Sequence, residues 1–138
     1  MGRIMAIDFG RKRTGLAVSD TTQIIANGLC TVQSNEAVEF LKDYVSRENV
    51  DLFIVGLPTQ MNNEPSENMQ QVKVFAGRLH KAIPQIPIEY FDERFTSVMA
   101  RQAMIEGGLR KKRRQDKALV DEIAATIILQ GYLEKKRL

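Results

Sequence analysis

Leu52-Phe53-Ile54-Val55 is an unbroken apolar run stopped by Gly56 and Pro58, and it constrains the fold of this chain more than any other stretch. A half-exposed strand alternates apolar and polar residues, so a run with no polar member reads as a strand buried on both faces. Such a strand lies in the middle of a sheet and requires helices on both sides of it.

The flanking segments supply the rest of such a sheet. Arg3 to Asp8 is rich in apolar residues, Gly10 to Gly15 forms a turn carrying three cations, and Leu16 to Ser19 returns, which predicts a β-hairpin. Ile24 to Val32 follows as a third strand, with a bulge or bend at Asn27-Gly28. Asn35 then stands as an N-cap, and Val38, Leu41 and Val45 recur at helical spacing in a helix ending near Asn49. After the buried run, Thr59 to Ser66 is a polar loop, and Met69, Val72, Ala76 and Leu79 mark a second helix.

Ile88 to Phe91 predicts a strand running into Asp92-Glu93-Arg94. Thr96 or Ser97 caps a third helix that stops at Gly107-Gly108, and Ala118 to Leu133 forms a last one. The order β-β-β-α-β-α-β-α-α is an α/β fold. Its mixed five-stranded sheet begins with three antiparallel strands, continues with parallel ones, and carries helices on both faces.

With 138 residues the chain reads as one domain, 1–138. A domain of this size buries roughly two-thirds of the surface its unfolded chain exposes, so its core forms without disulfides or structural metal. Its one cysteine, Cys30, reads as core and excludes an internal disulfide or a structural zinc site. His80 reads as a surface residue; Phe53, Phe75 and Tyr132 read as core or core edge, and Met61, Met69, Met99 and Met104 need no role beyond packing. No stretch approaches the ~18 to 20 apolar residues of a membrane span, and the N-terminus lacks the pattern of a signal peptide, so the expected location is the cytoplasm with no membrane partner.

Charge is unevenly spread. Residues 1–100 carry 10 Lys/Arg against 12 Asp/Glu, whereas residues 101–138 carry 10 against 5. Five cations are consecutive, Arg110-Lys111-Lys112-Arg113-Arg114, and their mutual repulsion is relieved by water, salt or a polyanion. A solvated loop is the plain reading of this run; nucleic acid is the sharper one.

Three acidic positions could carry chemistry. Asp8 ends the first apolar strand, Asp92-Glu93 ends the last, and Asp121 sits in the final helix beside Leu119, Val120, Ile123 and Ala124. Burying a carboxylate is costly unless it is paired or holds a cation. Taken singly each has an ordinary role: a turn former, a partner of Arg94 or helix cap, an exposed helix acid. Side chains alternate along a strand, so only one of Asp92 and Glu93 shares a face with Asp8. Hard carboxylate oxygens select Mg²⁺ or Mn²⁺, and two such ions ~3.5 to 4 Å apart activate water and stabilise the departing oxygen of a phosphodiester.

Four strings in this order, IMAIDFGRKRTGLAVSD, IVGLP at 54–58, DERFTS at 92–97 and the C-terminal basic run with VDEIAATIILQGYL, resemble the YqgF/RuvX family of the ribonuclease H-like superfamily over essentially the whole chain. The resemblance implies a ribonuclease H-like fold and an active site of Asp8, Glu93 and Asp121, the residues that would hold Mg²⁺ or Mn²⁺. It also implies a metal-dependent nuclease that leaves 5′-phosphate and 3′-hydroxyl ends. The implied task is 5′-end processing of pre-16S ribosomal RNA in ribosome biogenesis, with ribosomal precursor particles as partners and a monomer or weak dimer as the acting form. A Holliday junction resolvase acting on branched DNA and a non-catalytic RNA-binding assembly factor are the alternatives.

The residues themselves place the supporting parts of a nucleic-acid interface. Gly10 and Gly15 let a phosphate backbone approach Asp8, Arg11, Lys12 and Arg13 hold the strand being cut, Arg94 meets the acids or a phosphate, and the run 110–114 holds a more distant part. Asp8-Phe9-Gly10 also matches a kinase metal motif, but the chain is too short for a kinase and lacks the upstream glycine loop and lysine. The D-x-G-x-x-x-x-G spacing occurs in ATP-binding proteins of the actin type as well, which close two such domains over nucleotide where this chain has room for one.

Overall fold

In the computed structural model, residues 2–57, 67–92 and 117–137 are described. Strand β1 (Arg3–Phe9) is centred in a five-stranded sheet, flanked by β2 (Arg13–Ser19) and β4 (Val50–Leu57), with β3 (Ala26–Gln33) and β5 (Ile88–Asp92) at the edges. β1, β2 and β3 pair antiparallel, whereas β4 lies parallel to both β1 and β5. Helices α1 (Ala37–Arg47) and α2 (Glu67–Ala82) are joined by a C-terminal helix, α3 (Lys117–Arg137). The third helix expected at residues 96–107 lies outside the described residues, as do Met61, Met99 and Met104.

Alternation in the central strands assigns their side chains to two cores. Met5, Ile7, Leu16, Phe53 and Val55 pack with Leu41 of α1 and with Val72, Phe75 and Leu79 of α2. Ile4, Ala6, Ala17 and Ile54 project to the other face and pack against Ala125, Ile128, Leu129 and Leu133 of α3. A strand that feeds both cores needs apolar residues at every position, which is why 52–55 shows no alternation.

Two local expectations are corrected. The third strand begins at Ala26 and not at Ile24, because the N–H groups of Ile24 and Ile25 donate to the Asp20 carboxylate at 2.8 and 2.9 Å instead of to a neighbouring strand. Asn35 does not cap α1; Ser34–Glu36 forms a 3₁₀ turn, and α1 starts after Glu36 with no side-chain cap. The expected irregularity near Gly28 is present: Leu16 pairs with Cys30 and Ala17 with Gly28, so Leu29 is the extra residue of a bulge.

At the edges, Tyr132 packs half-buried on the α3-side core, Cys30 is half-buried, and His80 is exposed near the end of α2. Far from the Asp8 end of the sheet, Gln23 takes a φ of 60° and ties the termini together. Its amide donates to the Gly2 carbonyl at 2.7 Å, and the Lys136 ammonium donates to its Oε1 at 2.8 Å. Among the described residues, no helix is long and apolar enough to cross a membrane.

Candidate active site

Asp8 follows Ile4 and Ala6 in the alternation of β1, so it stands on the face of the sheet that α3 covers. Its partner in the antiparallel register is Gly15 of β2, and directly opposed residues in such a pair project to the same face. A Cβ on Gly15 would overlap the backbone carbonyl of Asp121 and come within 3.1 Å of the Glu122 nitrogen. The absent side chain is therefore the seat of α3. It lets the helix backbone rest on the sheet beside the position opposite Asp8, and so brings Asp121 to that end of β1.

Arg13 has the same parity as Gly15 and Ala17 in β2 and reaches the same face. Its Nε donates to Asp121 Oδ2 at 3.0 Å, with 38% of the Arg13 side chain and 27% of the Asp121 side chain exposed. The turn that carries Arg13 is fixed by Ser34. The Ser34 N–H donates to the Lys12 carbonyl at 2.9 Å, and its hydroxyl donates to the Gly10 carbonyl at 2.5 Å and lies 2.8 Å from Thr14 Oγ1. A backbone bond from Gly10 N–H to the Arg13 carbonyl at 3.0 Å closes the hairpin. Arg11 and Lys12 are exposed at its tip.

Ser34 and Thr14 were not singled out by sequence reasoning. The available signal was small: Thr14 is a polar residue just before the apolar run Leu16-Ala17-Val18, and it is fully buried. A buried hydroxyl needs a partner, and Ser34 is that partner.

In β5, Phe91 packs with the α3-side core and Ile88 with the opposite core. Asp92 pairs in register with Leu57, which also packs on the α1 and α2 side, so Asp92 stands on the face away from Asp8. Glu93, Arg94 and the run Arg110, Lys111, Lys112, Arg113 and Arg114 lie outside the described residues. Among the described residues no three His, Cys, Asp or Glu side chains gather into a group able to hold a metal ion. The Cys30 thiol is pushed up by burial and by the nearby Glu122 carboxylate, so at neutral pH it stays protonated and is a poor nucleophile.

A sheet of order β3-β2-β1-β4-β5 with acids from its first strand and its last helix on one face defines a ribonuclease H-like protein. The fold is shared with T. thermophilus RuvC, solved in complex with a Holliday junction substrate. That chain is 15% identical, with a TM-score of 0.57 over 99% of this chain and 96% of the RuvC chain. The family model described as RuvX, Holliday junction resolvase, matches residues 2–135. Relatives named "Putative pre-16S rRNA nuclease" are 66% identical over 137 residues in Parabacteroides distasonis (99% of this chain, 98% of the relative) and 63% identical over 138 residues in Bacteroides fragilis (all of both chains). One in Porphyromonas gingivalis is 58% identical over 134 residues, 97% of each chain. The chain belongs to the RuvX/YqgF family of nucleases, hydrolases that act on ester bonds.

Proposed function

We propose that residues 1–138 act as one domain that hydrolyses phosphodiester bonds in a divalent-cation-dependent reaction, and that the substrate is the precursor of 16S ribosomal RNA, trimmed at its 5′ end. The observation that carries this reading is the seating of α3 on Gly15, opposite Asp8, which sets two carboxylates from distant parts of the chain at one end of the sheet. The names of the relatives supply the RNA precursor.

The donor set fits a hard cation. Asp8 and Asp121 offer only carboxylate oxygens, the ligands that suit Mg²⁺ or Mn²⁺, and the missing Gly15 side chain lets α3 come close enough to bring Asp121 to the Asp8 end of β1. Asp8, Glu93 and Asp121 would hold the ion or ions. Asp92 belongs to the opposite face, which favours Glu93 as the third acid. When bound, such an ion lowers the pKa of water and neutralises the charge that develops on the departing oxygen.

The remaining parts are supplied by the chain's cations. Arg11 and Lys12 at the hairpin tip, Arg13, Arg94 and the run 110–114 hold phosphates and fix the register of the nucleic acid without reading its sequence. The products are 5′-phosphate and 3′-hydroxyl ends. The protein works in the cytoplasm on ribosomal precursor particles, as a monomer or weak dimer.

The test is Mg²⁺-dependent cleavage of a pre-16S RNA fragment and of a four-way DNA junction by the native chain and by Asp8→Asn. The RNA is expected to be cut, and the substitution to slow cutting by more than about a hundredfold, because losing even an outer-shell partner of a metal ligand costs 10- to 100-fold. Cutting that survives Asp8→Asn removes the site. Cutting of the junction alone transfers the reading to branched DNA, and binding without cutting makes the protein an RNA-binding assembly factor.

A further inference from the structure

We infer that Arg13 is the resident counter-ion of this site: it occupies Asp121 in the cation-free protein, yields that carboxylate when a divalent cation binds, and thereby sets cation affinity. The inference rests on the reading of Asp121 as a cation ligand. Arg13 and Asp8 both project to the α3 face from the two arms of one hairpin. Asp8 is opposed by Gly15, and Arg13 is backbone-bonded across the turn to Gly10 at 3.0 Å. Opposite Asp8 no side chain stands at the Gly15 position, and that space is filled by the Asp121 end of α3, which Arg13 meets from the turn.

The contact itself engages the atoms a cation would need. Arg13 Nε lies 3.0 Å from Asp121 Oδ2, and a guanidinium and a divalent cation cannot share that oxygen without strong repulsion. Because the backbone of the turn is clamped by Ser34, the exchange must be made by the Arg13 side chain alone. With 38% and 27% of the two side chains exposed, the pair is partly screened by water and weak enough to open. Once displaced, the planar guanidinium is free for a phosphate oxygen, which it suits geometrically.

A purely structural role for Arg13 predicts weaker cation binding when it is removed, whereas a counter-ion predicts tighter binding. The measurement is Mn²⁺ binding to the substrate-free full chain, followed by the electron paramagnetic resonance of free Mn²⁺, together with melting temperatures in EDTA. Arg13→Gln is expected to bind Mn²⁺ roughly 1.5- to fivefold tighter, the range set by the worth of a partly exposed ion pair. It should also melt lower in EDTA and recover when Mn²⁺ is added. Arg13→Lys should fall between it and the native chain, and provides the comparison if the glutamine variant does not fold. Equal or weaker Mn²⁺ binding by a folded Arg13 variant overturns the inference and leaves the site standing, provided Asp121→Asn lowers Mn²⁺ affinity in the same assay. If Asp121→Asn has no effect, the reading of the site fails and the inference with it.

Discussion

Gly15→Ala places one methyl group between β2 and α3, where the structure has no room for it. The added carbon would overlap the Asp121 carbonyl and sit 3.1 Å from the Glu122 nitrogen. All of these are backbone atoms of a helix, so no side chain can swing aside. Relief requires α3 to retreat by roughly 1 Å, and a gap of 0.5–1 Å already forfeits a quarter to a half of each dispersion contact. Those contacts join Ala125, Ile128, Leu129 and Leu133 to Ile4, Ala6, Ala17 and Ile54.

Overpacking of a close-packed core costs ~1–3 kcal/mol, and the added loss at the helix interface puts Gly15→Ala at roughly 3 kcal/mol or more. The same retreat carries Asp121 away from Asp8, and a misplacement of about 1 Å at a reacting centre costs ~10²-fold in rate. Urea unfolding measures the first effect, and Mg²⁺-dependent cleavage by the folded fraction measures the second. Gly77→Ala is the matched control: Gly77 lies in α2 with nothing within 4 Å of an added Cβ, so alanine should stabilise by ~0.5–1 kcal/mol through helix propensity. If Gly15→Ala unfolds within about 0.5 kcal/mol of the native chain, the ordinary spread of neutral substitutions, the seating of α3 on Gly15 is wrong.

Two further outcomes are expected. The Asp20 carboxyl is held well below the usual carboxylate range by the Ile25 N–H, the Thr22 hydroxyl and the Ile24 N–H, so its stabilisation is complete above the unfolded pKa and lost as pH falls toward the depressed folded value. Asp20→Asn should therefore lower the melting temperature at pH 7, by a margin that shrinks below about pH 4; a margin independent of pH would refute the assignment. Replacing Arg110, Lys111, Lys112, Arg113 and Arg114 by glutamine should reduce the slope of log affinity for RNA against log salt by roughly 3.5 to 4.5, and an unchanged slope would remove the run from the interface.

The parts of this protein legible in the amino-acid order are those set by local periodicity. Residues 52–55 declared a strand buried on both faces because no position could face water, and the spacing of Val72, Ala76 and Leu79 declared a helix because those residues share one side of it. Asp8 stood out for the same reason, as a charge closing an apolar strand. Asn35 misled, since its capping propensity is a local preference and the neighbouring Ser34 is tied to the β1–β2 turn, where a 3₁₀ turn forms instead.

What tertiary structure alone decided is which distant groups meet. Nothing near Gly15 in the chain shows that a helix backbone more than a hundred residues later will lie on it, and nothing near Arg13 shows that its partner is Asp121. Such pairings depend on how two elements pack, and packing is set by the summed shape of both cores rather than by either segment. The order of residues thus determined the strands, the helices and the acid at the end of β1. The sheet and the two layers against it decided the company that acid keeps.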